Sequence, residues 1–241
     1  MYDGADTAYY LEQGHTVVAI EANPVLAKKA REEFLSEINS GSLAILNVAI
    51  SEGESVELTI CGQDLGSSSI HADLIASRDP GVRYRVPATT VGGIVREYGM
   101  ADFIKIDIEG ADRACVLSLT REIAPPYLSF EAPHDIDDLL DHLSNVGYRG
   151  FKAIQQTGFR ALHRQDLLRD RVGMRIVRSL GYADPRQVRR NGRLFVRGHS
   201  AGPPPWQSDG PFFRAPQLLA QWREARAHDA LRGWYDIHAA R

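Results

Sequence analysis

Three short stretches of this chain carry side chains whose type and spacing suit chemistry better than packing. Asp3-Gly4-Ala5-Asp6-Thr7 leads into the helical run Ala8-Tyr9-Tyr10-Leu11. A glycine at a helix start lets a ligand approach the backbone, and the unpaired amides of the first turn can take a carboxylate or phosphate. The same run is also an ordinary N-cap. Glu21 stands 17 residues after Gly4, at the end of Val17-Val18-Ala19-Ile20. A carboxylate that closes a buried strand at such a distance from a glycine turn can accept both hydrogen bonds of a ribose diol. The third stretch is Lys105-Ile106-Asp107-Ile108-Glu109-Gly110. Strand alternation sets Lys105, Asp107 and Glu109 on one side and Ile104, Ile106 and Ile108 on the other. Three charges on one face of a central strand are costly to bury unless they are paired or used. Either they face a wet crevice as a lysine–carboxylate pair, or they border a reaction site.

Such residues need strands that end beside them and helices that begin beyond them. Val17 to Ile20 reads as a buried strand that passes through Asn23-Pro24 into a helix over 25–38, where Leu26, Ala30, Phe34 and Ile38 recur every four residues. Asn39-Ser40-Gly41 supplies the stop. Residues 43–50 predict a second buried strand, 55–60 a half-exposed one and 66–69 a loop. Residues 103–108 predict a central strand, followed by a helix over 110–121, a strand over 127–131, a helix over 135–145 and a strand over 151–155. This alternation implies a mostly parallel, doubly wound α/β sheet with helices on both faces, which binds ligands beyond the C-terminal ends of its strands. Beyond residue 156 the pattern loosens into one or two Arg-rich helices over 160–192, a Gly- and Pro-rich connector over 202–211, a helix over 215–228 and a closing strand over 234–238. The domain division expected is a core over 1–156, an Arg-rich insertion or lid over 157–200 and an extension over 201–241 that completes the same domain.

Composition narrows the classes. With 241 residues, 44% hydrophobic and 24% charged, and no apolar run near the ~20 residues a bilayer demands, the chain reads as a soluble globular protein with no membrane partner. The start lacks the pattern of a signal peptide, and Cys61 and Cys115 have no ligand-like spacing, so a reducing cytoplasm is expected. A net charge of −3 offers nucleic acid no general attraction. That average conceals a division: residues 160–197 hold eleven arginines and three aspartates, a net +8 against −11 elsewhere. His71 follows a serine run and reads as a solvated loop residue, and the cysteines read as buried fillers.

In this order the segments resemble the FkbM family of methyltransferases, through Gly4-Ala5-Asp6-Thr7, Val18-Ala19-Ile20-Glu21-Ala22-Asn23-Pro24, Asn47-Val48-Ala49-Ile50-Ser51 and residues 103–110, the last close to the family's most recognisable signature. The resemblance covers residues 1 to about 156. It implies a Rossmann-like class I methyltransferase sheet, S-adenosylmethionine as cofactor, and O-methylation of a small hydroxylated acceptor such as a sugar or polyketide. By position it assigns Asp3, Gly4 and Thr7 to the glycine motif, Glu21 with Ala22 to the ribose, Ala49 and Ser51 to the adenine side, and Asp107 to the region around the methionine moiety. Two features depart from the family pattern. The first strand and its Asp-x-Gly turn are absent, which predicts a natural chain extending upstream by at least one strand. The acidic residue of the family's TTLDSL-like stretch is missing from Thr89-Thr90-Val91-Gly92-Gly93-Ile94.

Methyl transfer requires an acceptor oxygen held in line with the methyl group and a route for its proton. Glu109, Glu131 and His134 are the candidate proton acceptors. A divalent ion on Asp107, Glu109 and Glu131 is a further way to activate a hydroxyl, although no spacing demands one and no metal site is assigned. An NAD-dependent oxidoreductase would also want the glycine turn and Glu21, but usually shows a full G-x-G-x-x-G. A non-catalytic methyltransferase-like module using its Arg-rich segment to hold RNA or another anionic partner is the remaining class, but arginines dispersed among Leu167, Leu168, Val172 and Ile176 look instead like amphipathic helices with a solvated face, or a lid.

Overall fold

The computed structural model describes residues 3–60, 82–108, 110–156, 158–162, 187–190, 193–196, 202–227, 231 and 233–241. They form two compact units, Met1–Met100 with Asp107–Leu119, and Ala101–Ile106 with Thr120–Arg241. The loop expected over 66–69, His71, Cys61 and Glu109 lie outside the described residues, as does most of the Arg-rich segment.

In the first unit, α1 (Ala5–Glu12) leads to β1 (Val17–Ile20), α2 (Pro24–Glu33), α3 (Leu35–Asn39) and β2 (Leu43–Leu46). β1 and β2 pair in parallel, from Val17 opposite Leu43 to Ile20 opposite Leu46. Asn23 starts α2 by accepting hydrogen bonds on Oδ1 from the amides of Val25 at 2.9 Å and Leu26 at 3.4 Å, and Pro24 fills a position where no amide is needed. The single helix expected over 25–38 is two helices, because Phe34 leaves helical geometry at φ −104°, ψ 29°. Its ring is buried in a cluster with Ala19, Ala30, Leu43 and Ile45.

The strand expected over 43–50 also divides. β2 ends at Leu46, and β3 (Ala49–Ile50) joins a second sheet of order β3-β5-β4, with β4 at Ser55–Ile60 and β5 at Val82–Thr89. β3 runs parallel to β5 and β4 antiparallel to it. Ala49, Leu58, Ile60 and Val86 form the core of this sheet. α4 (Val91–Tyr98) follows, capped by Thr90 Oγ1, which accepts from the Gly93 amide at 3.0 Å. α5 (Asp112–Leu117) completes the unit.

The second unit is built on a sheet of order β6-β7-β12-β8-β9. Its strands are β6 (Phe103–Ile106), β7 (Tyr127–Glu131), β8 (Gly150–Gln155), β9 (Arg160–Ala161) and β12 (Tyr235–Ala240). β6 and β7 are parallel, whereas β12 enters between β7 and β8 antiparallel to both. The described sheets are therefore mixed, not mostly parallel. α6 (Asp137–Val146) and α7 (Ala215–Ala227) contribute buried Leu139, Leu140, Leu143, Leu218 and Trp222, and Trp222 stacks edge-on against Tyr235. Tyr235 shares its strand face with Ile237 and Ala239, both fully buried. Two ends of the stretch expected to be Arg-rich helix are strands: Arg160–Ala161 pairs with β8, and β10 (Gln187–Arg190) forms an antiparallel ladder with β11 (Arg193–Val196).

The other face of this sheet carries a polar row. Lys105, Ser129, His238 and Lys152 stand in register across four adjacent strands. The connector over 202–213 binds this row. Lys152 Nζ donates to the carbonyls of Ser208 at 2.8 Å and Gly210 at 3.3 Å and sits 4.3 Å from the Phe212 ring centre. Ser208 Oγ lies 2.8 Å from His238 Nδ1, and Trp206 packs on Phe103 and Tyr127.

Candidate functional site

Within the first unit, four loops carry the expected cofactor residues. At the first, Gly4 adopts φ +76°, a left-handed conformation that suits glycine, and its carbonyl accepts from the Ala8 amide at 2.8 Å. Asp3 Oδ1 accepts from the Ala5 amide at 3.1 Å, so this carboxylate closes the first turn of α1, and Thr7 is buried. Asp3 and Gly4 border a shallow cleft whose other wall is α2, through Leu26, Lys29, Ala30 and Glu33.

The second loop is Glu21-Ala22-Asn23 at the end of β1. Glu21 N donates to the Leu46 carbonyl at 3.0 Å, and Glu21 Oε1 accepts from the Asn23 amide at 2.8 Å. The third loop, Asn47 to Ser51, is tied to it. Asn47 Nδ2 donates to the carbonyls of Glu21 at 2.8 Å and Ala22 at 3.1 Å. Ala22 packs against the cluster that contains buried Ala49, and the Ser51 amide donates to Thr89 O at 2.9 Å. The structure thus gathers Glu21, Ala22 and Ala49 into one neighbourhood.

The fourth loop corrects an expectation. β6 stops at Ile106, so Asp107 lies beyond the strand, exposed, and does not share a strand face with Lys105. The cause is Asp112. Its carboxylate accepts from the Ile108 amide at 3.0 Å and the Gly110 amide at 3.1 Å, while Gly110 takes φ +98°. These bonds turn the backbone out of extended geometry. Burial raises the Asp112 carboxyl above its ordinary range despite those two donors, and the charge of Asp107 pushes in the same direction. Burial, helped by Asp112, lifts the neighbouring Cys115 thiol to about 12, so it is an inert filler.

Within the second unit, Glu131 ends β7 directly opposite Asp236 of β12. Asp236 is 2% exposed, and its Oδ1 accepts from Gln156 Nε2 at 2.8 Å. His134 is exposed, and its ring nitrogens lie 2.9 and 2.8 Å from Arg226 Nη2, while its carbonyl accepts from Arg226 Nη1 at 3.0 Å. His134 is therefore engaged with a donor cation. Among the described residues no group of three His, Cys, Asp or Glu side chains converges as metal ligands would.

Asn47, Asp112, Asp236 and Gln156 are contributors that residue spacing did not single out. Asn47 and Asp112 act on backbone groups of other loops, which no periodicity reveals. Asp236 becomes a neighbour of Glu131 only because β12 inserts between β7 and β8.

Mixed parallel strands with helices between them, and a carboxylate closing β1 beside a small-residue loop, are consistent with a methyltransferase-like α/β protein. Residues 1–149 match the methyltransferase FkbM domain, and the chain belongs to that family. Neither the curated proteins nor the solved structures gave a match. β8, α7 and β12 lie beyond the matched residues. Among the described residues no helix is long and apolar enough to cross a membrane.

Proposed function

We propose that this chain is an S-adenosylmethionine-dependent O-methyltransferase acting on a hydroxyl of a small molecule such as a sugar or polyketide. The observation that carries the reading is the fixed Glu21 turn beside Ala22 and Ala49 in a chain with an FkbM domain. The residues present suit the cofactor: a strand-end carboxylate for a ribose diol, small apolar side chains for a flat base, and a left-handed glycine where a side chain would crowd a ligand. When bound, the cofactor supplies an electrophilic methyl group. Asp3, Gly4 and Thr7 form the glycine turn, Glu21 and Ala22 take the ribose side, Ala49 and Ser51 the adenine side, and Asp107 the methionine side.

The chain's own task is to place the acceptor and remove its proton. Glu131 and His134 are both proposed as proton acceptors, and the His134 ring already accepts from Arg226. Glu109 is the third candidate, between Ile108 and Gly110 in the sequence. Incubation with methyl-labelled S-adenosylmethionine and a panel of sugars, polyketides and simple alcohols tests the reading. Label transferred to an alkali-stable ether, and reduced by Glu131→Gln, supports it. Label found on nitrogen, or none on any acceptor at saturating cofactor, contradicts it.

A further inference from the structure

We infer that Asn47 is a positioning residue for the cofactor ribose, acting through Glu21 by fixing the turn from which that carboxylate projects. The inference rests on the proposed role of Glu21 as the ribose ligand. The β1–β2 ladder ends at Ile20 opposite Leu46, so the next residues on both strands leave regular pairing. There the Glu21 amide still donates to Leu46 O at 3.0 Å, and Asn47 continues the link with its side chain, giving one amide group to two successive carbonyls at 2.8 and 3.1 Å. Those carbonyls belong to the peptide units on either side of Ala22, whose orientation sets the direction of the turn.

The Glu21 side chain depends on the same turn. Its Oε1 is aimed at the Asn23 amide at 2.8 Å, and Asn23 is itself 1% exposed and committed through Oδ1 to the start of α2. The carboxylate is thus bracketed between a buried helix cap on one side and the Asn47 clasp on the other. Only a side-chain amide of this length serves: an aspartate would set negative charge against two carbonyl oxygens, and an aliphatic residue offers no donor. Asn47 is half-buried, and the ladder behind it is complete without it, so its removal leaves carbonyls that water can reach. The expected consequence falls on ligand affinity, through a carboxylate that must be ordered upon binding, more than on folding.

A double-mutant cycle tests this, with the full chain titrated calorimetrically with S-adenosylhomocysteine as wild type, Asn47→Ala, Glu21→Ala and the double variant. Each single change is expected to weaken binding at least tenfold, and the double variant to bind within about twofold of Glu21→Ala alone, since Asn47 has nothing left to position. Losses that multiply in the double variant, or full affinity in Asn47→Ala, overturn the inference while leaving the ribose role of Glu21 intact. Unchanged affinity in Glu21→Ala removes both. If Asn47→Ala does not melt cooperatively, Asn47→Leu, which is close in volume and offers no donor, is carried through the same cycle and judged by the same outcomes.

Discussion

Glu21 is held by its neighbours before any ligand arrives, with Oε1 on the Asn23 amide and its own carbonyl on Asn47. That arrangement makes the effect of its loss specific. Glu21→Ala is expected to weaken S-adenosylmethionine binding by about 1.5–3 kcal/mol, the scale of a hydrogen bond to a charged group. Calorimetric titration reads this directly, and unchanged affinity in a folded variant would leave Glu21 with no part in ribose binding. Asp107 lends itself to a comparable change, because its side chain is exposed beyond β6 and carries little of the packing. Isosteric Asp107→Asn and Glu109→Gln are each expected to keep the melting temperature close to wild type and to reduce turnover at least tenfold, about 1.4 kcal/mol of barrier. Full activity in both would leave the 107–110 loop with no part in the chemistry.

At the scale of elements, the loop over 107–110 depends on Asp112, the residue after Ala111 in the run that follows the signature. Asp112→Ala leaves the Ile108 and Gly110 amides without their acceptor and is expected to cost about 1–3 kcal/mol. Chemical denaturation would show it as a lower midpoint, and an unchanged midpoint would mean that water replaces the carboxylate at no cost. The sequence made β1, β4, β7, β8, β12 and α7 legible because each is bounded by turn residues and carries a clear period. It also placed Glu21 at a strand end. It did not reveal the breaks at Phe34, Asn47 and Asp107, each of which depends on a partner distant in space or on a side chain turning to backbone. β5 and α4 were likewise hidden: Val82–Thr89 exposes most of its side chains, and Gly92-Gly93 weakens any helical signal before Ile94. The candidate site was legible as residue types, and its supporting hydrogen bonds were not.

At the scale of the molecule, the second unit buries ionisable groups that its stability must carry. Burial first, then the charges of Lys152 and Lys105, hold the His238 imidazole down to about 3 from an ordinary 6.5. Lys152 is pushed down to about 8 by burial, partly offset by Asp209. For both groups the folded chain binds fewer protons than the unfolded chain between the two values. The His238 contribution is therefore fully present above pH 6.5 and is lost as pH falls toward about 3, at up to about 1.4 kcal/mol per pH unit. For Lys152 the corresponding gain appears only as pH rises from about 8 to 10.5. Thermal melts from pH 7 to 4 should show stability falling, with a shallower fall in His238→Gln. Equal slopes in the two proteins would show that His238 is not the group responsible.

Binding of a sulfonium cofactor by this FkbM-family chain is read by titrating the full chain with S-adenosylmethionine, S-adenosylhomocysteine and NAD in one calorimetric series. Saturable binding of the first two, with none of NAD, is the result predicted. Binding of NAD alone, or of none of the three by a folded chain, would contradict it.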